Sequence, residues 1–120
     1  MTSRKLVAVV VTYNRLDKLK VTLARLLDSP AAELAQVLVV DNACTDGTGA
    51  WLATQQDARL TVLTSAVNSG GAGGFAWGMR AAMERFAPDW LVVMDDDGRP
   101  EPGALTAFHA LPDDKWDANA

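Results

Sequence analysis

The chain has 120 residues, room for one domain with a single core. Its 49% apolar and 22% charged content is that of a globular protein, and a net charge of −4 gives no electrostatic footing for a nucleic acid partner. One cysteine, Cys44, excludes an internal disulfide and suits a reducing compartment. The longest apolar run near the N-terminus, residues 6–11, falls far short of the roughly 20 residues that span a bilayer, and no small-residue cleavage site follows it. The expectation is a cytoplasmic protein, with peripheral attachment at the inner membrane face left open.

In chain order, residues 6–12 are β-branched, continuously apolar and short, the pattern of a central parallel strand covered on both faces. Leu16, Leu19, Leu23, Leu26 and Leu27 then form a helical stripe, which Ser29-Pro30 stops. Residues 31–34 are ambiguous. Residues 37–41 repeat the first pattern and end in Asp41. Residues 41–48 carry turn chemistry, with Thr45 or Asp46 expected to cap a helix that runs to about Gln56 and buries Trp51 and Leu52. Residues 60–64 predict a third strand. A glycine-rich stretch, residues 68–74, precedes a helical stripe of Phe75, Met79, Ala82, Met83 and Phe86 that Pro88 ends. Residues 90–94 predict a fourth strand. Residues 101–111 predict one more helix, entered through Pro100 and Pro102, and residues 112–120 a frayed tail.

Strands alternating with helices predict an α/β fold: a doubly wound, mainly parallel sheet with helices on both faces. Ligands of such sheets bind outside the carboxyl ends of the strands. The distinctive polar groups all fall there. Thr12, Tyr13, Asn14 and Arg15 follow the first strand, Asp41 and Asn42 the second, Asn68 to Gly74 the third, and Asp95, Asp96 and Asp97 the fourth. Three adjacent carboxylates repel one another and call for a cation or full solvation. Side chains alternate along extended backbone, so Asp95 and Asp97 can face one way as a two-carboxylate clamp for a hard divalent ion, with Asp96 facing the other. A solvated acidic turn is the alternative.

The remaining polar groups carry less. The glycines allow either a close approach to phosphate or tight packing of a helix on the sheet, and they match neither the Walker pattern nor the dinucleotide fingerprint. Arg15 and Arg80 are the basic candidates for a diphosphate. His109 reads as structural or surface. Cys44 lacks a partner for nucleophilic chemistry, and Trp51, Trp77 and Trp90 read as core or rim. With one cysteine and one histidine, a zinc site has no support.

The four segments Val10-Val11-Thr12-Tyr13-Asn14-Arg15, Val40-Asp41-Asn42-Ala43-Cys44-Thr45-Asp46-Gly47-Thr48, Asn68-Ser69-Gly70-Gly71-Ala72-Gly73-Gly74-Phe75-Ala76 and Met94-Asp95-Asp96-Asp97-Gly98 resemble family 2 glycosyltransferases in order and spacing. Within that family they look most like the galactofuranosyl- and rhamnosyltransferase-like branch. The resemblance implies the Rossmann-like nucleotide-binding half of a GT-A fold, and transfer from a nucleotide-sugar donor with inversion. The donor would be a UDP- or dTDP-sugar and the acceptor a glycan or a lipid-linked one, with a part in cell-wall synthesis. It implies that Thr12, Tyr13 and Arg15 line the nucleotide pocket and that Asp41 contacts base or ribose. Asn68 and Gly71 would border the donor. Asp95 would serve both donor and metal, completing with Asp97 an Asp-x-Asp motif for Mn²⁺ or Mg²⁺. Cys44 stands where the family often has serine, and Trp77 where the branch often has arginine.

The family's acceptor site and catalytic base lie in a second half of the domain. Residues 1–111 are therefore expected to be a donor-binding half-domain, and no residue is assigned as base. The alternative is a truncated, non-catalytic fragment that binds nucleotide or self-associates, with the 90–94 strand as the edge of a homodimer. Two other classes fit less well. A receiver module needs acids after its first strand, where Thr-Tyr-Asn-Arg stands. An Asp-x-Asp-Gly phosphatase needs threonine after the motif, where Arg99 stands.

Overall fold

The structure, a computed structural model, describes residues 5–68, 70–98 and 109. Its elements are β1 (Leu6–Thr12), α1 (Leu16–Leu27), β2 (Gln36–Asn42), α2 (Thr48–Ala53), β3 (Leu60–Ser65), α3 (Gly70–Phe86) and β4 (Trp90–Asp95). The four strands form one parallel sheet in the order β3-β2-β1-β4. The doubly wound α/β expectation therefore holds.

Burial of β1 at all seven positions explains the layering. Its side chains alternate between two cores. Leu6, Ala8 and Val10 pack with Leu19, Leu23 and Leu26 of α1 and Leu52 of α2. Val7, Val9 and Val11 pack with Ala81 and Ala82 of α3 on the opposite face. A strand with no wet face reads as a continuous apolar run instead of an alternating one.

The chain winds from β1 to β2 to β3 in one direction, and α3 then carries it back to the far side of β1. The winding direction thus reverses between β1 and β4. A crevice opens at such a reversal, outside the carboxyl ends of the two strands. At the opposite end of the sheet, Arg59 donates from Nη1 to the Ser29 and Leu34 carbonyl oxygens and from Nη2 to that of Leu27. It thereby satisfies the Leu27 carbonyl that the end of α1 leaves without a helical partner, and two carbonyls of the connection to β2. Its role is structural and remote from the crevice.

Two elements differ from the sequence expectation. The second helix stops at Ala53 instead of near Gln56. The Thr54 hydroxyl and Gln55 Nε2 both donate to the Trp51 carbonyl, and such local side-chain bonds compete with helix propagation. The third helix starts at Gly70, ahead of its apolar stripe, and so takes in much of the glycine-rich stretch. A Cβ at Gly74 would lie 2.9 Å from Val11 Cγ1, and one at Gly78 would lie 2.6 Å from Val9 Cγ1 and 2.9 Å from Val40 Cγ2. Bare backbone lets α3 sit directly on the buried valines, and that packing offsets the poor helix propensity of glycine. The expected helix over 101–111, apart from His109, and the tail at 112–120 lie outside the described residues.

The Gly78 contact gives a direct test. Gly78→Ala gains about 1 kcal/mol of helix propensity but forces a methyl into two fully buried valines. We expect a net loss of roughly 1–2 kcal/mol in urea unfolding. An unchanged or raised midpoint would show that α3 can lift from the sheet at no cost.

Candidate functional site

The carboxyl ends of the strands meet around an open cleft of about 280 Å³ lined by Val11, Tyr13, Arg15, Asn42, Asn68, Gly70, Phe75, Asp95 and Asp96. This volume is near the lower end for small-molecule sites, roughly 300 Å³. β1, β2 and β4 each deliver a lining residue at or near their last positions, because the parallel register sets Thr12 beside Asp41 and Val11 beside Asp95.

The loops after β1 and β2 are fastened to each other. Asn14, at φ 52°, accepts the Thr45 N–H on its Oδ1 at 2.6 Å. The Asn14 N–H donates to Cys44 Sγ at 3.3 Å, and the Cys44 thiol lies 3.6 Å from the Thr12 carbonyl oxygen it can donate to. Burial pushes the Cys44 thiol up to about 11. At neutral pH it is a protonated cross-link between loops and a poor nucleophile. Asp46 ties the two helix starts together. Its Oδ2 accepts the Leu16 N–H of α1, and its Oδ1 accepts the N–H and hydroxyl of Thr48 at the start of α2. The Thr48 hydroxyl, foremost, holds the Asp46 carboxyl below its ordinary value. Asp46 thus caps α2 from the residue before Gly47, which occupies the N-cap position itself at φ 92°.

The residues expected at the site divide in two. Tyr13, Arg15, Asn68 and Asp95 line the cleft. Asn68 accepts on Oδ1 from Asn42 Nδ2 and from the Gly70 N–H, both at 2.8 Å, which fixes the start of α3 to the end of β2. Gly71 lies in the first turn of α3, next to the lining residue Gly70. Thr12 and Asp41 are buried beneath the cleft. Asp41 Oδ1 accepts the Cys44 N–H at 3.0 Å and shapes the β2–α2 turn. Arg80 is exposed on α3 and is not part of the lining, so of the two arginines Arg15 is at the cleft. Trp51 packs against the core under the Lys20 ammonium, Trp90 packs against the same core, and Trp77 is exposed on α3. His109 Nε2 lies 2.7 Å from the Glu33 carbonyl oxygen, outside the lining.

Asp96 faces away from Asp95 and Asp97, as the alternation of an extended chain suggests, but the sequence does not reveal its partners. It is 3% exposed, and its Oδ2 accepts the Thr12 hydroxyl at 3.1 Å and the Tyr13 N–H at 3.4 Å. Arg15 Nη1 stands 3.6 Å from Asp96 Oδ1. Asn14, Asn42 and Phe75 were also not singled out as site residues. The two asparagines do stand among the polar groups at the strand ends, but nothing in the sequence gives them a role of their own there.

Asp95 and Asp97 are exposed, and the Asp97 N–H donates to Asp95 Oδ1 at 3.0 Å. Among the described residues no group of three or more His, Cys, Asp and Glu side chains could cage a metal. Two adjacent carboxylates without a third ligand suit a Mg²⁺-type ion, which binds through one or two carboxylates and completes its shell with phosphate and water.

Residues 7–116 match the family described as glycosyl transferase family 2. Over 103 residues the chain is 39% identical to undecaprenyl-phosphate mannosyltransferase of Micrococcus luteus, covering 84% of this chain and 41% of that protein. Over 104 residues it is 40% identical to galactofuranosyltransferase GlfT1 of Mycobacterium tuberculosis, covering 83% of this chain and 33% of that one. The chain thus spans well under half the length of these relatives. The S. aureus TarS 1-349 crystal structure superposes with a TM-score of 0.72 and 27% identity over 88% of this chain and 31% of that one. Mannosyltransferase PcManGT from Pyrobaculum calidifontis, solved with GDP-Man and Mn²⁺, gives a TM-score of 0.69 and 27% identity over 92% of this chain and 32% of that one. The sheet has the Rossmann-like architecture of the GT-A glycosyltransferases, and the chain belongs to glycosyl transferase family 2.

Proposed function

We propose that this chain carries the donor-binding part of an inverting glycosyltransferase and holds a nucleotide-diphosphate sugar through a divalent cation. The carrying observation is the convergence of Tyr13, Arg15, Asn68 and Asp95 from two loops and a strand end on one cleft beside the exposed Asp97. The GDP-Man and Mn²⁺ of the Pyrobaculum mannosyltransferase support the reading.

In this reading Asp95 and Asp97 hold Mn²⁺ or Mg²⁺, and the Arg15 guanidinium faces the diphosphate. Tyr13, Asn68 and the backbone at Gly70 and Gly71 border the donor. Thr12 and Asp41 act from beneath, fixing the loops on which base and ribose rest. The ion supplies Lewis-acid neutralisation of the nucleoside-diphosphate leaving group. The acceptor is a glycan or a lipid-linked one, in keeping with the undecaprenyl-phosphate in the name of the Micrococcus relative. A lipid-linked acceptor places the protein peripherally at the inner membrane face. Among the described residues no helix is long and apolar enough to cross a membrane. Residues 1–111 make up the donor-binding unit, and no residue is assigned as the base.

Titration calorimetry with UDP, dTDP and GDP, with and without Mn²⁺, tests this. One of the three should bind in a metal-dependent manner. Asp95→Ala and Asp97→Ala should each weaken that binding about tenfold or more, equivalent to about 1.4 kcal/mol. Failure of all three nucleotides to bind at millimolar concentration with Mn²⁺ would refute the donor-site reading.

A second reading concerns association. β4 pairs only with β1 among the described residues, and Val93 on it is 44% exposed. An apolar edge strand is a template for pairing with another chain, and we infer a homodimer through residues 90–94. Sedimentation velocity should then show a dimer that Val93→Lys converts to monomer. A wild-type chain that stays monomeric at high micromolar concentration would rule the edge out.

A further inference from the structure

Asp96, the middle carboxylate of the three, has an environment unlike that of its neighbours. Its side chain is 5% exposed, whereas that of Arg15 facing it is 56% exposed. Its three sets of partners come from three places. Oδ2 receives the Thr12 hydroxyl at the last position of β1 and the Tyr13 N–H in the loop that follows. Oδ1 faces the Arg15 guanidinium. Its backbone carbonyl receives the fully buried Thr22 hydroxyl of α1 at 2.9 Å. These bonds cross the crevice between β1 and β4, the place where the winding of the sheet reverses. A carboxylate is kept out of water only where donors and a positive charge stand ready for it. Here they do, and no buried side-chain polar atom among the described residues lacks a partner.

We infer that Asp96 is a positioning residue of the donor site. By clasping the end of β1 it fixes the backbone that presents Asp95 and Asp97 on either side of it. By holding the charge of Arg15 from below it sets where that exposed guanidinium stands over the cleft. Asp96 itself acts through these neighbours. The inference rests on the donor-binding reading for its consequence, and on the clasp geometry for its cause.

The test uses the whole chain with Asp96→Ala and Asp96→Asn, read in two ways. The first is ligand-free: NMR-detected hydrogen exchange at the Tyr13 amide, whose acceptor is Asp96 Oδ2. Asp96→Ala should speed this exchange about tenfold or more, and Asp96→Asn, which keeps an acceptor oxygen, should restore most of the protection. The second is the affinity for the Mn²⁺–nucleoside diphosphate. Asp96→Ala should weaken it about tenfold or more. Asp96→Asn should weaken it less, and its remaining loss should vanish in an Arg15→Ala background, because only the charge facing Arg15 is gone. Gly78→Ala, which destabilises the fold away from the cleft, is the control and should bind like the wild type.

A folded Asp96→Ala variant with wild-type exchange and affinity would overturn the inference. So would a Gly78→Ala variant that loses as much affinity as Asp96→Ala. If Asp96→Ala does not fold, Asp96→Asn decides: an affinity loss that persists unchanged in the Arg15→Ala background counts against the inference, and one that vanishes there supports it. If the wild type binds no nucleotide, the donor reading is the one that fails, and the exchange at Tyr13 still decides whether Asp96 clasps the loop.

Discussion

The constraint on which the rest depends is the burial of β1 on both faces. A strand with no wet face needs a layer of helix on each side. One chain can supply both layers to a parallel sheet only by crossing over one face and later over the other. That requirement places α1 and α2 against one core and α3 against the second. It also places β4 on the far side of β1 from β2. Every strand then ends on the same edge, and the reversal between β1 and β4 leaves room there. The cleft follows from the packing, before any residue in it has a chemical role.

The glycine-rich stretch shows how one sequence feature can answer two demands. Glycines before a helix suggest a phosphate cradle, and glycines within a helix suggest close packing. In this chain the packing role is visible at Gly74 and Gly78, where a methyl would meet valine side chains of β1 and β2 at under 3 Å. At the entrance, Gly70 adopts φ +76° and lines the cleft. Different glycines of one stretch thus serve the two ends: Gly74 and Gly78 let α3 lie down on the sheet, and Gly70 starts it at the cleft. Substitution within the helix therefore disturbs the core, whereas substitution at its first residue disturbs the cleft mouth.

Most of the fold was legible in the sequence because it rests on short-range patterns. Continuous β-branched runs marked the buried strands, and the Leu16, Leu19, Leu23, Leu26 stripe marked α1. The misjudged boundaries lay where local preference lost to tertiary contact or to a side chain. Glycine propensity argued against a helix at residues 70–74, and the close fit of α3 onto the sheet, with Gly74 against Val11 and Gly78 against Val9 and Val40, overrode it. Thr54 and Gln55 closed α2 early through bonds to the Trp51 carbonyl. At the site, strand ends could be read but partners could not. The donors that draw Asp96 inward lie 84 and 83 residues earlier in the chain, and no spacing rule links them.

That long-range clasp changes the electrostatic problem posed by three adjacent carboxylates. Were all three solvated, their mutual repulsion would be screened but nothing would hold them in one geometry. Were all three turned inward, the desolvation cost would exceed what one arginine and two hydrogen bonds can return. Burying only the middle one resolves both difficulties. Its charge is matched by Arg15, the Thr12 hydroxyl and the Tyr13 amide, and its backbone is pinned to α1 through Thr22. The flanking two are left exposed on a fixed backbone, separated by the alternation of the chain, with the Asp97 N–H bonded to Asp95 Oδ1. The cation of the proposed donor site would meet these two exposed carboxylates next to an arginine whose charge already faces Asp96. In that proposal an ion that binds oxygen, and that brings phosphate oxygens with it, would complete its shell there.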